Sequence, residues 1–224
     1  MPNGNDMQRV HMEPHHPVQD RIASSYYRYY TAFQKAVYTN VFRIKSVLLG
    51  VRYGANLCCW GPVHIVRHPG SHIVIGDNVS IVSDSYRCSA SSLYAPTKMR
   101  TFSPHSLIRI GNNVGLNGTS IISRSRHVII GDNTMIAPNV TILDSDFHAL
   151  WPPETRLMKP DFESDADVLI GENVWIGMQS IILKGATIGK NSVIGAGSIV
   201  TGNIPENMLA AGSPARVIRS IVEP

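Results

Sequence analysis

Between residues 170 and 200 one aliphatic side chain returns at every sixth position without a slip: Ile170, Ile176, Ile182, Ile188, Ile194 and Val200. No other feature constrains the fold as much. An α-helix repeats every 3.6 residues and a strand every two, so a sustained period of six belongs to neither alone. It fits a short strand followed by a corner. Gly171, Gly177, Gly189 and Gly195 directly follow aliphatics of the series, and Asn173, Gly185, Asn191 and Gly197 stand in the turns. These residue types take turn conformations that others avoid. The hexad also occurs earlier, as Ile75-Gly76-Asp77-Asn78-Val79, Ile110-Gly111-Asn112-Asn113-Val114 and Ile130-Gly131-Asp132-Asn133-Thr134. Three hexads make one triangular coil, and coils stack by parallel strand pairing. The inward aliphatics then form ladders along the axis, each fully buried Ile or Val stabilising the fold by roughly 1.5–3 kcal/mol.

Composition excludes several classes. A formal charge of +4 over 224 residues is too mild to argue for nucleic acid. No run of 18 apolar residues indicates a membrane span. The segment MPNGNDMQRVHMEPHHPVQD lacks the apolar core of a secretory signal, and Cys58, Cys59 and Cys88 fit reduced thiols, so a cytoplasmic location is expected. Residues 1–19 read as a flexible tail. Residues 20–49 read as a basic helix, with Tyr26, Tyr30, Phe33, Val37, Val41, Ile44 and Leu48 as a packing face for the end of the coils or for a neighbouring subunit. Coils are expected over 51–219, with two extruded loops at 83–107 and 144–168, and a register shift near Ser123–His127.

The break after Val140-Thr141-Ile142 brings Asp144, Asp146 and His148 together, followed by Trp151 and two prolines. Loops longer than about 12–15 residues in a compact domain are usually functional or disordered. Imidazole titrates near neutrality, so a histidine extruded from a rigid wall is a candidate base.

The run IGENVWIGMQSIILKGATIGKNSVIGAGSIVTGNIPENMLAAGSPARVIR, over 170–219, resembles the C-terminal part of galactoside and maltose O-acetyltransferases, through VWIG, GAGSIVT, the IPENMLAAGSPA corner and the final R-V-I-R. The resemblance implies an all-β fold, the left-handed parallel β-helix of hexapeptide-repeat acyltransferases, with an N-terminal α-helix. It also implies a homotrimer with active sites between subunits, acetyl-CoA as donor, a sugar hydroxyl as acceptor and no metal. Carried over residue by residue, His148 is the general base, and Asp144 or Asp146 orients its ring, caps the turn or contacts the acceptor. Asn117 contacts the acceptor hydroxyl, and the backbone N–H of Met178 faces the oxyanion. Trp175 lines the groove, Ala196 lies along the pantetheine arm and Thr201 sits near the adenine. Arg216 and Arg219 face the coenzyme's phosphates. A lysine common in the family after the threonine is here Gly202.

Rival readings remain at this stage. N-acetylation of an amino sugar or nucleotide sugar needs the same base. A γ-carbonic-anhydrase-like zinc site would have to draw on His64, His68 and His72, which precede the well-formed coils. A non-catalytic scaffold would not need His148. Serine acetyltransferases carry a larger helical N-terminal region than residues 20–49 supply.

Overall fold

The computed structural model describes residues 17–158 and 162–222. The first sixteen residues of the expected tail lie outside the described residues; from Pro17 the chain is already helical, and the helix runs Pro17–Leu49. The coils follow. Their strands form three parallel faces, each receiving one strand per turn of the chain. The first face holds Arg52–Tyr53, His72–Ile75, Leu107–Ile110, His127–Ile130, Val168–Ile170, Thr187–Ile188 and Asn203–Ile204. The second holds Cys58–Trp60, Ser80–Val82, Gly115–Asn117, Met135–Ile136, Trp175–Ile176, Val193–Ile194 and Met208–Gly212, closed by the antiparallel strand Ala215–Ser220. The third holds His64–Val66, Lys98–Thr101, Ser120–Ser123, Thr141–Leu143, Ile181–Ile182 and Ile199–Val200.

The hexad aliphatics stand in register. On the first face Ile75, Ile110, Ile130, Ile170, Ile188 and Ile204 form one column. On the third face Met99, Ile121, Ile142, Ile182 and Val200 form another. Every one of these is at most 4% exposed. Cys59 sits in the second-face column beside Ile81, where burial pushes its thiol up to about 12. At neutral pH it therefore packs as a small apolar side chain.

The corner between the first and second faces explains the recurrent asparagine. Asn56, Asn78, Asn113, Asn133, Asn173, Asn191 and Asn207 all hold φ of +56° to +61°, a conformation asparagine tolerates better than most residues. Their amides also stack. The Nδ2 of Asn56 donates to Oδ1 of Asn78, Asn78 to Asn113 and Asn113 to Asn133, at 2.9–3.0 Å. The stack resumes from Asn173 through Asn191 to Asn207.

Two expectations need correction. Lys98–Thr101, assigned to a loop over 83–107, is a third-face strand with Met99 and Thr101 turned inward and buried. The extrusion is therefore only 83–97. The lysine and arginine of KMRT hide the strand because they occupy its outward positions. The helix also packs differently: Thr39, Phe42 and Ser46 are its buried residues, Phe42 meets Tyr53 edge to face, and the Cys59 N–H donates to Thr39 Oγ1. The expected packing stripe, with Tyr26, Phe33, Ile44 and Leu48 all more than 60% exposed, faces outward in the single chain.

Candidate active site

Side chains pointing outward from the second face build a groove. One row runs Ser80, Gly115, Met135, Trp175 and Val193, one residue per coil. A parallel row runs Trp60, Val82 and Asn117. Over these rows, Trp60 excepted, lies a cavity of ≈ 650 Å³ that Asn117, Trp175, Met178 and Ala196 all line. A Cβ added at Gly115 would meet no atom within 4 Å, so this glycine opens the floor rather than relieving a clash. Gly177 differs: its Cβ would strike the backbone N of Ala196 at 2.5 Å, so coil stacking requires that glycine.

Polar groups inside the groove are oriented by the coils. Asn117 Nδ2 donates to the Ile136 carbonyl at 2.9 Å, which leaves Oδ1 turned out as an acceptor. Pro138, Met178 and Ala196 occupy equivalent corners of successive coils, two residues beyond the register-paired Ile136, Ile176 and Ile194. Proline has no N–H. Met178 and Ala196 do, and neither N–H meets an acceptor among the described residues, while the Met178 carbonyl accepts from Gly197 N at 2.8 Å. Two adjacent free donors thus face a largely apolar groove, the arrangement that an oxyanion and a neighbouring amide carbonyl need.

Residues 83–97 wall the groove on its far corner. Tyr94 N donates to Asn139 Oδ1 and Asn139 Nδ2 to the Ser92 carbonyl, at 2.9 and 3.0 Å. The amide of Gln179 donates to the Tyr94 hydroxyl. At Gly118, with φ +53°, a Cβ would stand 3.0 Å from the Ala95 carbonyl, so the wall lies directly on the coils.

His148 does not line this groove. Its loop leaves the coils after Thr141–Leu143 and returns at Val168–Ile170, at the corner between the third and first faces. That corner lies across the coil from the second face. The ring's Nδ1 stands 2.9 Å from the Arg156 carbonyl. A carbonyl only accepts, so Nδ1 is the donor of this bond, and in the neutral form of the ring Nε2 is the nitrogen with the lone pair. The Arg156 guanidinium in turn donates to the carbonyls of Ala149 and Leu150. Asp144 and Asp146 have other partners. The buried Asp144 carboxylate accepts the backbone N–H groups of Arg124, Ser125 and Arg126 at 2.7–3.3 Å. Burial pushes its carboxyl above the usual aspartate range while those N–H groups pull it back. This corner is where the sequence register shifts. Asp146 pairs with Lys184 Nζ at 2.6 Å.

Both ends of the loop are tied to Arg124, which sequence reasoning overlooked. Its Nη1 donates to Ser145 Oγ at 3.0 Å and stands 3.6 Å from Asp165 Oδ1. Its guanidinium lies over the rings of Phe162 and Phe147, at 4.1 and 5.6 Å. Removing one partner of such a buried pair typically costs about 3–5 kcal/mol. Arg124→Met is therefore expected to make the 145–165 segment protease-sensitive while the coils stay folded. Limited proteolysis with mass spectrometry checks this; uniform cleavage through the coils would count against a local role.

A second recess of ≈ 360 Å³ near the C-terminus brings Thr201, Gly202 and Arg216 together with Asn203, Ile204, Ala215 and Val217. Arg219 stands outside it and donates to the Ser220 carbonyl. The site of the missing lysine is open, since a Cβ at Gly202 would meet nothing within 4 Å. His64 and His72 lie on different faces, and among the described residues no three His, Cys, Asp or Glu side chains gather as a metal site.

Residues 167–202 match the family described as bacterial transferase hexapeptide (six repeats). Among similar proteins, galactoside O-acetyltransferase of Escherichia coli K12 is 48% identical over 120 residues, 54% of this chain and 57% of that one. A putative acetyltransferase of Saccharomyces cerevisiae is 47% identical over 52% of this chain and 57% of its own length. The putative lipopolysaccharide biosynthesis O-acetyl transferase WbbJ of E. coli is 39% identical over 50% and 60%. The matched regions thus span under two thirds of these relatives. Among solved structures, a variant of AntD, an N-acyltransferase from Bacillus cereus, crystallised with dTDP-4-amino-4,6-dideoxyglucose and coenzyme A, aligns with TM-score 0.60 at 18% identity. It covers 81% of this chain and 89% of its own, and this is a likeness of fold.

Proposed function

We propose, from a chain whose residues 167–202 are hexapeptide repeats of the bacterial transferase type, that this protein moves an acetyl group from acetyl-CoA to a sugar hydroxyl. The coils wind left-handed, as in the acyltransferases it resembles, and three copies pack side by side. The observation that carries the reading is one contact: Nδ1 of His148 stands 2.9 Å from the Arg156 carbonyl, which makes that nitrogen the donor and leaves Nε2 of the neutral ring to act as the base.

Each residue then has a task. The second N–H of Asn117 Nδ2 donates to the oxygen of the acceptor hydroxyl and fixes it, which leaves the hydroxyl proton for His148. His148 Nε2 takes the hydroxyl proton as the oxygen adds to the thioester carbonyl carbon. The Met178 N–H donates to the carbonyl oxygen as it becomes negative. The C–S bond then breaks, and the imidazolium returns its proton to the departing sulfur. Trp175 closes the groove beside the reacting carbon and excludes water. The Ala196 N–H is placed for a carbonyl of the pantetheine arm, and the recess of Thr201, Gly202 and Arg216 for the adenine and phosphates, where arginine's planar fork suits phosphate. Arg219 meets the phosphates only if its side chain swings over.

Assembly follows from the same geometry. The base sits at one corner and the groove on the face across from it, so a complete site combines two copies. Leu150, Trp151, Leu157 and Met158, each more than 70% exposed, surround the base and would be covered by the neighbour's groove. Three free thiols suit a reducing compartment such as the cytoplasm. The test is calorimetric titration with acetyl-CoA, with molar mass by sedimentation on the same sample and thiol release over a sugar panel. Saturable binding near one site per chain in a trimer is expected. A monomer, or absence of acetyl-CoA binding, would overturn the reading.

A further inference from the structure

Arg87 is the one charged side chain among the described residues lining the groove, and no carboxylate lines it. Among the described residues its guanidinium has no hydrogen-bond or ion-pair partner; its contact is the face of Trp60, 5.1 Å from the ring centroid. The position is built. Arg87 N and Cys88 N both donate to the Asp84 carbonyl at 3.1 Å, forming a turn. The Asp84 carboxylate accepts from Tyr86 N and from the hydroxyl of Tyr30 on the helix, at 2.9 and 2.8 Å. The carboxylate nearest in the turn is thereby occupied, and Trp60 also carries Lys35 at 5.5 Å. Both cations bring positive charge to this end of the groove.

Register gives the distance. Trp60, Val82 and Asn117 are outward neighbours on three successive coils. Two strand spacings of about 4.8 Å put the Trp60 end about 10 Å from Asn117. The coenzyme's phosphates belong to the opposite end, beside Arg216. We infer that Arg87 is a specificity residue and that the acceptor is an anionic sugar, its carboxylate or phosphate paired with Arg87 while a ring hydroxyl meets Asn117. This rests on the acyl-transfer reading for what happens at that hydroxyl, but the anion site itself does not need it.

The test uses two matched pairs, galacturonate against galactose and glucuronate against glucose. Binding is measured by saturation-transfer NMR on the full chain, wild type and Arg87→Gln, and turnover by thiol release from acetyl-CoA. The charged member of a pair is expected to bind at least about tenfold more tightly to wild type. Arg87→Gln should erase that preference, leave acetyl-CoA affinity unchanged and keep the residual turnover on neutral sugar. Arg87→Lys should restore part of the preference. Equal binding of charged and neutral sugars, binding of neither, or a preference surviving in Arg87→Gln would overturn the inference. Selective, Arg87-dependent binding without thiol release would sustain the anion site and sink the acyl-transfer reading instead.

Discussion

His148→Ala is expected to lower the proposed acetyl transfer by about 10²–10⁴-fold, the range a positioned general base supplies, and to leave acetyl-CoA affinity and molar mass unchanged. The fold has no stake in this ring. It is exposed, and its one hydrogen bond holds a loop carbonyl that the Arg156 clamp and the Arg124 anchor keep in place without it. The loss should appear in kcat, because the groove residues assigned to the two substrates are untouched. Steady-state thiol release beside calorimetry separates the two effects. Turnover within a few fold of wild type would remove His148 from the mechanism; loss of acetyl-CoA binding would mean that the loop shapes the donor site.

Two inactive variants are expected to repair each other. His148→Ala lacks the base, and Gly115→Trp fills the groove floor at a position where added atoms meet nothing within 4 Å. Each alone is nearly inactive. When they are co-expressed in equal amounts, an oligomer that draws its base from one copy and its groove from the next regains sites wherever an intact base meets an intact groove. For random assembly that is about one quarter of all sites, and the activity should follow. If both halves of the site came from one chain, mixing would recover nothing. The readout distinguishes the arrangements without a structure of the assembly.

The six-residue period made most of the architecture legible, because inward aliphatics carry it and burial enforces it. Where inward residues are not aliphatic the period disappears, as with Met99 and Thr101 in Lys98–Thr101. The helix misled for a related reason. Its most apolar stripe faces outward, and the packed side is built from Thr39, Phe42 and Ser46, of which only Phe42 registers as hydrophobic. At the site, Asn117, Trp175, Met178 and Ala196 were readable from motifs and do meet in one groove. The partner of the His148 ring was not readable, since it is a backbone carbonyl and any residue could provide it. Sequence could not separate Asp144 from Asp146 either. Two residues apart, one is buried beneath three N–H groups and the other holds Lys184 at the surface. Arg124 lies far from the loop in sequence, and only folding brings it between Phe147 and Phe162.

Stacked coils also turn position along the groove into a quantised coordinate. Asn117 and Met178 lie two coils apart because Gly115 pairs with Met135 and Met135 with Trp175. No side-chain adjustment changes that interval. Deleting the intervening turn whole would bring Asn117 toward Met178 in a single step of about 4.8 Å, and duplicating it would move them apart by the same step. The wall at 83–97, extruded from one corner, can change in length without altering the interval. In such a molecule the spacing of the polar groups in the groove is digital, and the shape of its wall is analogue.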